Sequence, residues 1–302
     1  MNETAFLAAL RRLPLHPGAR GLRDDAATIG DLVVTTDTQV EGVHFLPTDP
    51  AADVAWKLVA TNLSDLAAKG AAVEGITLNY PLTDDDWDTA FLTGLAQVLA
   101  AYDCPLIGGD TVSLPPDAPR VLTVTAFGRR SAPPARDGAR PGDVLWVTGT
   151  IGDAGAGLAI ARGAPGPATL LAAFRRPLPR LQEGTALAAH VTAMMDVSDG
   201  LLLDAARMAD ASGVGLVIDL AAVPLSAAYR SFVGDDRTAR LAAATAGDDY
   251  QLLFALPPGA VPRSPATRVG LFNAGTELTL HDAGEAIALP PVLGFRHGLR
   301  KP

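Results

Sequence analysis

Between residues 32 and 128 the chain runs through four short stretches of apolar and β-branched residues, "LVVTTDTQV", "VEGITLNYPL", "PLIGGDTVSL" and "RVLTVTAFG", and each predicts a strand. Two longer segments among them, residues 54–69 and 86–102, repeat apolar positions every three to four residues and predict helices. Asp84, Asp85 and Asp86 ahead of "WDTAF" read as a helix start, where acids suit the positive end of the helix dipole. The stretch "RRSAPPARDGARPGD" then breaks the pattern with Pro, Gly and mixed charge. It predicts a domain boundary, with domains over residues 1–134 and 135–302. Beyond it come a strand at "VLWVTG", an Ala-rich helical region over residues 153–190, and a helix after Gly200. Further strands are expected at "VGLVIDL", "YQLLFAL" and "RVGLFNAG". Such mixed neighbours predict an α+β fold in two domains rather than one regular doubly wound sheet.

The acids in this pattern are unevenly placed. Asp37 follows the apolar "LVV" with Thr35 and Thr36 beside it, Asp110 follows "PLIGG", and Asp196 and Asp199 follow "AMM" ahead of a helix. Asp65 falls inside the helical "TNLSDLAAKG" among apolar residues. Asp, Ser, Thr and Gly are ordinary turn and cap residues, so any one of these loops has a plain structural explanation. As a set they read differently. Loops at strand ends present functional groups on a rigid scaffold, and carboxylates with hydroxyls form a hard oxygen set suited to Mg²⁺.

Composition narrows the partners. The 302 residues are 48% apolar and 19% charged, enough for two cores, and the net charge is −9 from 33 acids against 24 Lys and Arg. A phosphate backbone is normally met by a basic face, so nucleic acid is not expected as a partner, nor is an anionic membrane surface. No run of about 18 apolar residues predicts a membrane span. "MNETAFLAALRRLPL" has the reverse charge order of a signal peptide. Cys104 is the only cysteine, which excludes an internal disulfide and a cysteine metal cluster. The expectation is a cytoplasmic protein.

Familiar phosphate-binding devices are missing. "AAKGAA" has Lys and Gly in the wrong order for a GxxxxGK[ST] loop, and the glycines of "TGTIGDAGAGLAIA" do not fit GxGxxG. If so acidic a chain binds a polyphosphate, metal ions must supply much of the positive charge.

The segments "DDAA", "TTDTQVEGVHF", "NLSDLAAKGA", "LIGGDT", "DVSDGLLLD" and "GDDYQLLF" occur in the order seen in thiamine-monophosphate kinases, and from about residue 24 onward the chain resembles that family. The resemblance implies a two-domain α+β fold like aminoimidazole ribonucleotide synthetase: an N-terminal mixed sheet domain that dimerises, and a C-terminal α+β domain completing the ATP and substrate site. It implies transfer of the ATP γ-phosphoryl group to thiamine monophosphate, giving thiamine diphosphate, with several Mg²⁺ ions and in a homodimer. By position, Asp25, Thr35, Thr36, Asp37, Asp65, Asp110, Asp196 and Asp199 resemble the family's Mg²⁺ ligands. Gly109, Asp110, Arg136 and Ser198 resemble its ATP contacts, and His44 and Asp248 its contacts to the thiamine phosphate. Asp204 is expected to be structural. The chain departs from the family pattern at Arg23 (for Gly), Lys69 (for Met), Asp248 and Gln251 (for Glu), and Gly298 (for an aromatic residue).

The nucleophile implied is an oxygen of the acceptor phosphate, already ionised near neutral pH. No side chain is then needed as covalent nucleophile or general base, and positioning with charge stabilisation carries the reaction. Two other readings stand beside this one. Another ATP-dependent branch of the same superfamily, such as aminoimidazole ribonucleotide synthetase, fits "VEGVHF" and "NLSDLAA" less well; a non-catalytic binder of nucleotide or thiamine phosphate would have little need of the acidic set.

Overall fold

The structure, a computed structural model, describes residues 3–297. Its first half holds the helices α1 (Glu3–Leu10), α2 (Ala51–Ala68) and α3 (Asp85–Ala101). They accompany strands β1 (Ala27–Ile29), β2 (Leu32–Val40), β3 (Ala72–Leu82), β4 (Leu106–Ser113) and β5 (Val121–Arg129). These strands form a five-stranded mixed sheet in the order β1-β2-β5-β3-β4, with only β3 and β4 parallel.

The second half forms a seven-stranded sheet in the order β12-β11-β8-β10-β6-β9-β7. Its strands are β6 (Val144–Thr148), β7 (Ala193–Asp196), β8 (Gly215–Asp219), β9 (Leu252–Leu256), β10 (Ala266–Asn273), β11 (Leu278–Asp282) and β12 (Glu285–Ile287). The expected helical region over 153–190 is three helices, α4 (Asp153–Ala161), α5 (Ala168–Arg175) and α6 (Leu181–Leu187), separated where Pro165, Pro167, Pro177 and Pro179 interrupt the backbone pattern. Helices α7 (Leu201–Ser212), α8 (Ala227–Phe232) and α9 (Arg237–Thr245) complete this half. Asp84 caps α3 by accepting from Trp87 N at 2.9 Å, as the acidic run predicts.

Helix α2 joins the halves. Its inner side packs on β2 and β5 through Leu58, Leu63 and Leu66, within the core of the first sheet. Its last turn enters a second cluster, where Ala67 and Ala68 meet Met194 of β7 and Phe254 of β9. Small residues let these elements approach: a Cβ at Gly184 of α6 would sit 2.0 Å from the Ala67 carbonyl oxygen. A helix buried on nearly every side explains why α2 reads as apolar around most of its circumference. Its few polar residues are therefore placed with unusual constraint.

Polar contacts add to this packing between the halves. Arg175 pairs with Asp49 at 2.8 Å and Arg176 with Asp53 at 2.5 Å. The proline-rich stretch between the sheets is itself anchored, since the Ala135 carbonyl accepts from Met194 N at 3.0 Å.

Candidate active site

The main cavity, of about 1070 Å³, lies between the two halves, and α2 contributes Lys57, Thr61 and Asp65 to its wall. These residues are four apart, so they stack on one helical face. Beside Asp65, Asp37 comes from β2, Asp196 from the end of β7, and Ser198 and Asp199 from the turn that leads into α7. Arg136, His44 and Asp248 also line it.

Asp25, Asp65 and Asp196 each offer a carboxylate oxygen within 4.8 Å of the others. Thr35 Oγ1 donates to Asp65 Oδ2, Ser64 Oγ donates to Asp196 Oδ2 at 2.7 Å, and the Asp37 amide donates to Asn62 Oδ1 at 3.1 Å. Burial, and then the charge of Asp37, Asp196 and Asp25, pushes the Asp65 carboxyl well above the ordinary range. Burial and Asp25 do the same to Asp196. Asp37 rises to about 6, from burial and then the charge of Asp199 and Asp25.

Asp25 goes the other way. Burial alone would raise it, but Arg136 and Lys69 outweigh that and hold it down at about 2. Lys69 Nζ forms an ion pair with Asp25 Oδ2 at 2.7 Å. Arg136 Nη2 donates to Asp25 Oδ1.

Among the described residues, no ion pair reaches Asp37, Asp65 or Asp196. Three crowded carboxylates without a counter-charge, Asp196 buried and Asp37 and Asp65 half-buried, are costly in a low dielectric. An all-oxygen donor set with the Thr35 hydroxyl beside it fits a hard divalent cation such as Mg²⁺.

Asp204 supports the site from behind. Its Oδ2 accepts from the amides of Ser198, Asp199 and Gly200 at 3.1, 2.9 and 3.2 Å, fixing the turn before α7. Arg207 pairs with both Asp204 and Asp199.

Three residues expected at the site lie elsewhere in this chain. Thr36 sits on the opposite face of β2 from Thr35, where it donates to the Val124 carbonyl and accepts from Thr125. Strict side-chain alternation along a strand forbids adjacent threonines from sharing a face. Gly109 and Asp110 lie on β4, the exposed edge of the first sheet. Gly109 is register-matched to Leu78, Leu78 to Val124, and Val124 to Asp37, which places β4 three inter-strand spacings, about 14 Å, from β2. Neither residue lines the cavity. Gly109 is there for the sheet, since a Cβ would fall 1.9 Å from the Leu78 carbonyl oxygen.

The sequence as a whole matches two domains in order: AIR synthase related protein, N-terminal domain, over residues 23–130, and AIR synthase related protein, C-terminal domain, over residues 140–262. A thiamine-monophosphate kinase of Caulobacter vibrioides is 36% identical over 306 aligned positions, covering 93% of this chain and 86% of the relative. One from Salmonella typhimurium is 40% identical over 252, covering 78% and 76%. The chain belongs to the thiamine-monophosphate kinase family. A solved structure described as AaThiL complexed with AMPPCP and TMP superimposes with a TM-score of 0.85 at 28% identity, covering 98% of this chain and 97% of that one. The two-domain α+β fold expected of a thiamine-monophosphate kinase is therefore the fold of this chain.

Several residues of this family member escaped the sequence reading. Lys57 Nζ lies 2.8 Å from Asp248 Oδ2 and donates to the His44 carbonyl at 3.1 Å. Tyr250 donates its hydroxyl to Asp248 Oδ1 at 3.0 Å. His297 lies beside His44, with ring centroids 5.3 Å apart and the rings tilted by 44°, and meets Phe295 edge-on at 5.0 Å. Burial, and then His297, lowers the His44 pKa. The four-residue spacing of Lys57, Thr61 and Asp65 was the available signal for Lys57; nothing local marked Tyr250 or His297. Gln251, which replaces a family Glu, accepts from Thr148 and Arg180 and packs at the base of β9. Gly298 lies outside the described residues.

Proposed function

We propose that this protein transfers the γ-phosphoryl group of ATP to thiamine monophosphate, forming thiamine diphosphate and ADP by direct displacement. The observation that carries this is the meeting of Asp37, Asp65 and Asp196, three crowded acids without a counter-charge, at one wall of a cavity large enough for two phosphorylated ligands. The names of relatives covering most of their own length support the same reading.

In this reading Asp37, Asp65 and Asp196, with Thr35 and Asp199, form the core of a Mg²⁺-binding set. Asp25 borders it but already has two cations of its own. Bound Mg²⁺ would offset the charge of the triphosphate and of the acceptor phosphate as they approach. Arg136 and Ser198 would hold nucleotide phosphate, and Asp204 keeps the Ser198 turn rigid for that task. His44 and Asp248 would contact the acceptor, with Phe295 and His297 offering ring surface beside them. No side chain need carry the phosphoryl group, so a chiral γ-phosphorus should invert.

We also place the domain boundary at residues 134/135, and the working form as a cytoplasmic homodimer. All of β4 is exposed, including Leu106, Ile107 and Val112, and an apolar edge strand left open invites pairing. A partner copy covering that edge would bring its Gly109 and Asp110 to a neighbouring cavity, and so reunite them with the other acids. No helix among the described residues is long and apolar enough to cross a membrane, in keeping with this placement. Formation of thiamine diphosphate from Mg-ATP and thiamine monophosphate by the purified protein, and its loss in Asp65→Asn, tests the proposal.

A further inference from the structure

Lys69 follows α2 by one residue, four positions beyond Asp65, and its side chain is 1% exposed. Its ammonium is shared between Asp25 Oδ2 at 2.7 Å and Asp24 Oδ1, with the Met194 carbonyl at 3.3 Å. Asp24 has a second partner in Arg20 at 2.8 Å, so Lys69 is not required merely to neutralise Asp24. Burial opposes the charge on Lys69, but Asp25 and Asp24 outweigh it and keep the group protonated beyond an ordinary lysine.

Lys69 and Arg136 occupy the two oxygens of Asp25 differently. Arg136 lines the cavity, where an incoming phosphate can draw it away. Lys69 does not line it and is enclosed by protein, so its charge stays whatever ligand enters. Asp25 in turn offers an oxygen within 4.8 Å of those of Asp65 and Asp196. A divalent cation bridging Asp25 to either acid would lie within a few ångströms of a fixed ammonium, where like charges repel strongly.

We infer that Lys69 is a built-in monovalent substitute for one metal ion: it withdraws Asp25 from the metal-binding set, so that this chain holds one divalent cation fewer than the same acids would with an uncharged residue at position 69. This rests on the proposed metal role of the cluster. The remaining acids, Asp37, Asp65 and Asp196, keep their affinity for divalent ions, while one positive charge beside them becomes permanent and independent of metal supply.

Direct counting of bound Mn²⁺ by electron paramagnetic resonance, on the full chain without nucleotide, tests it. Wild type, Lys69→Met and Asp25→Asn are titrated side by side, with melting in EDTA as a second readout. Lys69→Met should bind one additional Mn²⁺ per chain, or bind its tightest Mn²⁺ at least about tenfold more strongly, and should melt lower in EDTA because Asp24 and Asp25 lose a counter-charge. Asp25→Asn should leave Mn²⁺ binding within about threefold of wild type, since Asp25 is already occupied; this arm holds even if Lys69→Met does not fold. If wild type binds Mn²⁺ and Asp25→Asn loses a site, or if Lys69→Met leaves number and affinity unchanged, the inference is overturned. If no variant nor wild type binds Mn²⁺, the metal reading of the cluster falls first and the inference falls with it.

Discussion

Lys57 holds Asp248 across the two halves of the molecule, Nζ to Oδ2 at 2.8 Å, and the same ammonium fixes the His44 carbonyl at 3.1 Å. The two residues expected to meet the acceptor are thus tied to one cation on α2. Asp248 also has a φ of 70°, a left-handed conformation that Asp tolerates better than most side chains. Its carboxylate is therefore a positioned group rather than a free anion.

Asp248→Asn keeps the size and conformation and removes the charge. Its contacts lie away from the transferred phosphoryl group, so the acceptor Michaelis constant should rise about tenfold while kcat stays within about threefold. The ATP constant should not move. Steady-state kinetics with each substrate varied in turn check this, and an equal fall in kcat would place Asp248 in the chemical step instead.

Asp204 gathers three backbone amides on one buried oxygen. Asp204→Ala leaves those donors without their acceptor and Arg207 with one partner fewer. Loss of about 3 kcal/mol of stability is expected in urea unfolding, with activity lost through the collapsed Ser198 turn. A change under about 0.5 kcal/mol would show that water replaces the carboxylate without cost.

The unpaired acids also set a pH dependence. Asp37 has its carboxyl raised to about 6 in the fold, with Asp65 and Asp196 shifted in the same direction. A carboxyl raised on folding binds its proton more tightly in the native state, so stability increases as pH falls toward and through that value. Asp25, held at about 2, loses its contribution only far below this window. His44, lowered by burial, opposes the gain as it protonates. In EDTA the melting temperature of wild type should rise from pH 7 to pH 5 by several degrees more than that of Asp37→Asn, and Mg²⁺ should shrink the difference. Equal pH profiles for the two proteins would remove Asp37 from the crowded set.

Much of this was legible in the sequence because it is local. The strand β2 falls over the nine residues of "LVVTTDTQV", and the position of Asp65 on a helix follows from apolar spacing. Motif order gave the family, and through it Asp37, Asp65, Asp196 and Asp199. What escaped depends on packing between elements distant in sequence. Lys57 meets Asp248 across 191 positions, and Lys69 meets Asp25 through the fold of α2 against the loop before β1. The face of Thr36 follows from strand alternation once Thr35 is turned toward Asp65. Asp110 is different: it lies on an exposed edge strand away from the cavity, and the role proposed for it needs another copy of the chain.

That role has a distinctive test. Asp110→Asn and Asp65→Asn should each be inactive alone, yet a mixture should regain activity. In a hybrid dimer one cavity receives its acid cluster from one chain and Asp110 from the other, both intact. With free exchange at equal concentrations, about a quarter of wild-type activity should return. No recovery from subunits shown to exchange would mean that Asp110 does not act across an interface.

The central claim, that crowded acids unpaired in the fold serve phosphoryl transfer, is tested most directly by thiamine diphosphate formation in wild type and Asp65→Asn. Both are assayed with saturating Mg-ATP and thiamine monophosphate. Wild type should form thiamine diphosphate, and Asp65→Asn should lose at least about a thousandfold in kcat while melting no lower in EDTA, since it sheds a repelling charge. A folded Asp65→Asn protein with wild-type turnover, or a wild type that leaves thiamine monophosphate unchanged, would contradict the account.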